Sequence, residues 1–111
     1  RGEFKMKRIY LFCSAGMSTS MLAQKMQEVG DAHQLPVEVK AFSHAKIQDI
    51  VDELHPDCIL LGPQVKYLFE ETNKKFGDKT PVAVIDSAAY GMMDGEKVLK
   101  TAIKLIKTFG K

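Results

Sequence analysis

Short, unbroken apolar runs alternate along this chain with longer stretches in which apolar residues recur every three or four positions. Lys7-Arg8-Ile9-Tyr10-Leu11-Phe12 passes from polar to continuously apolar, the pattern of a central parallel strand covered on both faces. From Ser18 the spacing changes. Met21, Leu22, Met26 and Val29, with Lys25 among them, predict a helix running to about Gly30, whose freedom to adopt a left-handed conformation would stop it. After a connection over Asp31 to Leu35, Pro36 to Ala41 alternates as an edge strand does, with proline only at its first position. Ala45, Ile47, Ile50, Val51 and Leu54 predict a short amphipathic helix, capped by Ser43 and broken at Pro56-Asp57.

Cys58-Ile59-Leu60-Leu61 is the most apolar run and predicts a buried strand. Gly62-Pro63-Gln64 then turns the backbone, and Pro63 suits a first helical position. Val65, Leu68, Phe69 and Phe76 form the inner stripe of the next helix, which the Gly77-Asp78 turn ends. Pro81 to Ile85 predicts a fourth strand and Ser87 to Met93 an irregular stretch. Asp94-Gly95 starts a last helix with Val98, Leu99, Ala102, Ile103 and Ile106 inward and Lys97, Lys100, Lys104 and Lys107 outward.

Strand and helix repeated four times predict an α/β fold: a four-stranded parallel sheet with helices on both faces, a three-layer arrangement of flavodoxin-like and phosphatase-like kind. Right-handed crossovers leave few strand orders, and 2-1-3-4 is the one chosen here. In such a sheet a ligand sits beyond the carboxyl ends of the strands where the order reverses, between strands one and three. Two loops meet there, the one from Cys13 and Gly62-Pro63-Gln64.

Length and composition narrow the classes. A chain of 111 residues that is 45% apolar builds one core, so residues 6–111 are read as a single domain. Arg1-Gly2-Glu3-Phe4-Lys5, ahead of Met6, has the look of a cloning remnant. No apolar run approaches the roughly 18 residues that cross a bilayer, and no signal-peptide pattern opens the chain, so a cytoplasmic protein without direct membrane insertion is expected. Sixteen basic and 14 acidic residues are mixed along the sequence, net +2, with no basic stripe for nucleic acid. His33, His44 and His55 lie 11 apart and make no metal motif. Were Cys13 to end one strand and Cys58 to begin its neighbour, about 13 Å of strand rise would separate them, beyond disulfide reach.

The chemistry concentrates in Cys13-Ser14-Ala15-Gly16-Met17-Ser18-Thr19-Ser20. A dianionic phosphate needs several donors in one concave array, and the backbone N–H groups of residues 14 to 19 supply them where a helix begins. Ser14, Ala15, Gly16 and Ser18 are small enough for close approach, and Gly16 permits a positive φ. The same array favours thiolate at Cys13. The expected site is therefore a phosphate loop that carries phosphate on sulfur. Cys58, inside an apolar run, is expected to be a core residue.

Cysteine-dependent phosphatases place an arginine six positions after the cysteine to grip the transition state. Here Thr19 stands at that position, and Arg8 precedes the first strand, at the opposite end of the sheet. A low-molecular-weight phosphatase-like activity is the disfavoured alternative, and a thiol-based binding module is another. The hydroxyls of Ser14, Ser18, Thr19 and Ser20 either contact phosphate or cap the helix. Tyr90, on the same edge, either contacts phosphate or a partner, or packs. Asp86 suits a helix cap, since a carboxylate beside phosphate is repulsive. Met17, Met92 and Met93 form either a docking rim or core.

Three separated motifs carry a resemblance over Lys7 to Gly110. They are Ile9 to Ser20, Leu60-Leu61-Gly62-Pro63-Gln64-Val65, and Ile85-Asp86 through Tyr90-Gly91-Met92-Met93-Asp94-Gly95. In these the chain resembles the IIB components of the bacterial phosphoenolpyruvate-dependent sugar phosphotransferase system, of the lactose/cellobiose/chitobiose group. The resemblance implies that Cys13 takes a phosphoryl group from a phosphohistidine of a IIA protein and passes it to a sugar imported through a membrane IIC protein, the sugar being a β-linked disaccharide or relative. It implies no metal and no organic cofactor. Pro63, Gln64, Ser20 and Tyr90 stand at the margin of the expected site.

Overall fold

Strand β1 (Lys7–Cys13) lies inside a parallel sheet because its apolar residues serve two cores at once. A computed structural model describes residues 6–14 and 17–109, except for the side chain of Met17. The expected remnant at 1–5 lies outside the described residues. Ile9 and Leu11 point into one core, Tyr10 and Phe12 into the other. Such two-sided burial follows from the period-2 geometry of a strand whose residues are all apolar.

Around β1, the described residues form a four-stranded sheet in the order β2-β1-β3-β4, as the sequence predicts, with β2 at Val37–Ser43, β3 at Cys58–Leu61 and β4 at Val82–Val84. Helices α1 (Met17–Ala32), α4 (Ser87–Gly91) and α5 (Gly95–Thr108) supply Leu22, Met26, Ala89, Val98 and Leu99 to the core on the Ile9 face. On the Tyr10 face, α2 (Ile47–Leu54) and α3 (Phe69–Phe76) supply Ile47, Ile50, Phe69 and Phe76.

Three expectations need correction. Helix α1 does not stop at Gly30 but continues to Ala32, and the left-handed residue is Gln34, at φ 56°. Gly30 is glycine for packing, since a Cβ there would lie 2.5 Å from Val37 Cγ2. The stripe Val65 to Phe76 is not one helix: a 3-10 segment, Pro63–Leu68, precedes α3, and Val65 within it leaves helical geometry at φ −119° and ψ 29°. Ser87 to Met93 is not wholly irregular, for Asp86 accepts from Ala89 N at 3.0 Å and nucleates the short helix α4.

Local caps elsewhere fall where the sequence put them. Ser43 Oγ accepts from Ala45 N at 3.3 Å at the head of a 3-10 turn (His44–Lys46) that leads into α2, and Asp94 Oδ1 accepts from Lys97 N at 3.1 Å at the head of α5. Arg8 lies at the amino end of the sheet, where its guanidinium donates to the Leu54 carbonyl and its backbone N–H donates to Asp57 Oδ2 at 2.8 Å.

Cys58 pairs with Ile9, four residues before Cys13, and no disulfide joins the two. Burial first, and the neighbouring Asp57 second, push the Cys58 thiol up to about 12. Tyr10, buried and donating to Glu38, is raised as well. A group whose folded pKa is raised favours the folded state fully below its unfolded value and loses that contribution as pH climbs toward the folded one. The urea midpoint should therefore fall as pH passes 9, the ordinary value for cysteine, and Cys58→Ala should flatten part of that fall. A pH-independent midpoint up to about 11 would contradict it.

Candidate functional site

The surroundings of Cys13 follow from strand register. Phe12 pairs with Leu61, and Gly62 N donates to the Phe12 carbonyl at 2.8 Å, so Cys13 stands beside Gly62 at the carboxyl ends of the two central strands. This is the point where the strand order reverses. A Cβ on Gly62 would sit 3.0 Å from Cys13 Sγ, 3.1 Å from Gln64 Oε1 and 3.3 Å from Cys13 Cβ. Only glycine leaves that corner open for the thiol and the carboxamide to meet.

Cys13 is 3% exposed, and its thiol donates to Gln64 Oε1 at 3.2 Å. Ser14 Oγ lies 3.9 Å from the sulfur. Half-buried Pro63, at the first position of the 3-10 segment, turns the chain out of β3 so that Gln64 reaches back to β1. Beyond Cys13, α1 opens with no acidic residue in its own first turn, so that helix start sets none of its own carboxylates against an anion.

Of the loop residues, Ala15 and Gly16 lie outside the described residues, as does the Met17 side chain, so the expected cradle over 14–19 is described only in part. Ser14, Ser18 and Ser20 are exposed. Thr19 is different: it is 2% exposed, and its hydroxyl is 2.9 Å from the Tyr90 hydroxyl. The position that holds arginine in a phosphatase loop thus links α1 to α4. Tyr90 is half-buried and packs against the core on the Ile9 face of the sheet. Sequence reasoning named both residues but not their contact, because they are 71 positions apart. Nor did it single out the spacer role of Gly62, which only the β1–β3 register reveals.

The Thr19–Tyr90 pair has a measurable worth. Tyr90→Phe leaves a buried hydroxyl on Thr19 without that partner, a loss of about 1–2 kcal/mol. Thr19→Val with Tyr90→Phe removes both polar groups, so the double variant should be less destabilised than the sum of the singles in urea unfolding. Strict additivity would mean the contact carries no coupling.

The methionines divide. Met93 packs on the core at φ 54°, whereas Met92 is 75% exposed in the segment after α4. Tyr67, after β3, is 70% exposed. Among the described residues no group of three or more His, Cys, Asp or Glu is placed to hold a metal ion, and no helix is long and apolar enough to cross a membrane.

Comparison with known proteins agrees with this geometry. The oligo-beta-mannoside-specific EIIB component of the PTS system of Bacillus subtilis (strain 168) is 39% identical over 102 residues, covering 91% of this chain and 97% of that protein. The PTS cellobiose-specific EIIB component of Lactococcus lactis subsp. lactis (strain IL1403) is 41% identical over 104 residues, covering 90% and 96%. The solution structure of a cellobiose-specific phosphotransferase IIB component from Borrelia burgdorferi superposes with a TM-score of 0.75 at 32% identity, over 93% of this chain and 94% of that one. A lactose-specific IIB domain from Streptococcus pneumoniae, 17% identical, shares the fold with a TM-score of 0.79 over 90% and 97%. Residues 8–101 match the family described as PTS system, Lactose/Cellobiose specific IIB subunit, and the chain belongs to that family.

Proposed function

We propose that this protein is a cytoplasmic phosphocarrier in which Cys13 accepts a phosphoryl group from a phosphohistidine of a IIA component and transfers it to a sugar delivered by a membrane IIC component. The observation that carries this reading is the placement of Cys13 at the carboxyl end of β1, beside Gly62 at the switch point of the sheet and directly before α1. Family membership supports the relay as a whole. Relatives named for oligo-beta-mannoside and cellobiose favour a β-linked disaccharide or short oligosaccharide as the acceptor.

Both steps are phosphoryl transfers, in which positioning and electrostatics do most of the catalytic work. The backbone N–H groups from Ser14 to Thr19, with the exposed hydroxyls of Ser14, Ser18 and Ser20, are the donors assigned to the phosphoryl oxygens. Thr19 contributes its backbone only, its hydroxyl being turned to Tyr90. The chain has two arginines, Arg1 and Arg8, and Arg8 is engaged at the far end of the sheet. Lacking that clamp at position 19, the loop holds a phosphoryl group without hydrolysing it rapidly.

The test mixes the protein with phosphorylated IIA and follows the product. One phosphoryl group per chain, on Cys13, that passes to a β-disaccharide only when the IIC component is present is the expected result. Steady release of phosphate from an aryl phosphate would favour the phosphatase instead.

A further inference from the structure

One side chain that touches the Cys13 sulfur is a carboxamide, and the two states of the sulfur ask opposite things of it. As a thiol, Cys13 donates to Gln64 Oε1 at 3.2 Å. When a phosphoryl group arrives, the N–P bond of the donor imidazole breaks and the S–P bond forms, while the thiol proton ends on the departing nitrogen. In the second step the S–P bond breaks and an O–P bond to the sugar forms, while the sugar hydroxyl proton returns to sulfur. Between these events the sulfur bears no proton and its substituent is a dianion, which only accepts hydrogen bonds.

A glutamine presents an acceptor at one end of its planar group and two donors at the other. We propose that the Gln64 carboxamide inverts with each transfer, Oε1 accepting from the thiol and Nε2 donating to a phosphoryl oxygen of phosphocysteine. This rests on the reading of Cys13 as the phosphoryl carrier. The geometry supplies the room for it. Gly62 has no Cβ where one would stand 3.1 Å from Oε1, and Gln64 is itself exposed, so the terminal group can turn without moving the backbone. A neutral group is required as well. Glutamate would accept from the thiol equally well but would face the dianion with like charge.

The experiment uses the whole chain carrying 15N-glutamine, with the Gln64 side-chain NH2 signals assigned by their loss in Gln64→Met. On phosphorylation by phosphorylated IIA, one Gln64 amide proton should move downfield, then return when the group passes to sugar through IIC. Gln64→Met should be phosphorylated about ten- to a hundredfold more slowly, the loss of one charge-assisted hydrogen bond. Gln64→Glu, nearly isosteric and still an acceptor, should be slower than Gln64→Met. Urea unfolding of both variants gives the control: each should stay folded under the conditions of the transfer assay, with a midpoint lowered by no more than the loss of one hydrogen bond to the thiol explains. Unmoved Gln64 signals on a chain shown to carry phosphocysteine, or wild-type rates in Gln64→Glu, would overturn the inversion while sparing the carrier reading. Absence of any phosphoryl group on wild-type Cys13 would overturn both.

Discussion

Cys13→Ser should abolish phosphoryl relay to sugar and leave the domain folded. Oxygen is smaller than sulfur, so serine fits the corner without a clash, and its hydroxyl can donate toward Gln64 Oε1, so the cost to stability is about 1–3 kcal/mol. Reactivity is another matter. A serine hydroxyl is a weak nucleophile unless a neighbouring base activates it, whereas a cysteine is partly thiolate near neutral pH and intrinsically far more nucleophilic. The transfer rate should fall by at least about a thousandfold, the scale at which removing a nucleophile is usually felt. Labelled phosphate followed from phosphorylated IIA to sugar gives the rate, and urea unfolding gives the control. Label retained on the variant at normal yield would place the carrier on some other side chain.

The second large effect concerns Gly95, far in sequence from the loop. It is buried in the first turn of α5, where a Cβ would lie 2.9 Å from the Lys25 carbonyl carbon and 2.9 Å from the Met26 backbone nitrogen in α1. Both are helix backbone and cannot swing aside. Gly95→Val should therefore push the two helices apart at a cost of about 3 kcal/mol, at the upper end of what overpacking usually brings. For a domain of this size that lowers the melting temperature by on the order of 10 °C or more. Since α1 begins immediately after the loop, the phosphorylation rate should drop too. Calorimetry decides it: an unchanged melting temperature would mean that α1 and α5 can part without cost.

Reading the chain without coordinates yielded the strand order because each strand has a strong local signature. Cys58-Ile59-Leu60-Leu61 admits little but a buried strand, and the alternation over Val37-Glu38-Val39-Lys40 admits little but an edge. The place of Cys13 at the end of β1 was equally legible, since the apolar run before it reads as a strand and the small, hydroxyl-bearing residues after it do not. What failed to show were contacts between distant segments. The stop assigned to Gly30 came from glycine's backbone freedom, whereas its true constraint is the methyl of Val37 on another element. The short helix after Asp86 escaped notice because five residues carry too little periodicity to register. Gln64 was placed at the site's margin from its turn, but its grip on the sulfur depends on Phe12 pairing with Leu61.

The link from Thr19 to Tyr90 bears on how the protein is made. Translation reaches Cys13 and Gly62 before Tyr90 and Gly95, so a chain made only as far as β4 lacks both residues that α1 meets from α4 and α5. Helix α1 therefore gains its contacts with α4 and α5 only after the strands that frame Cys13 have been made.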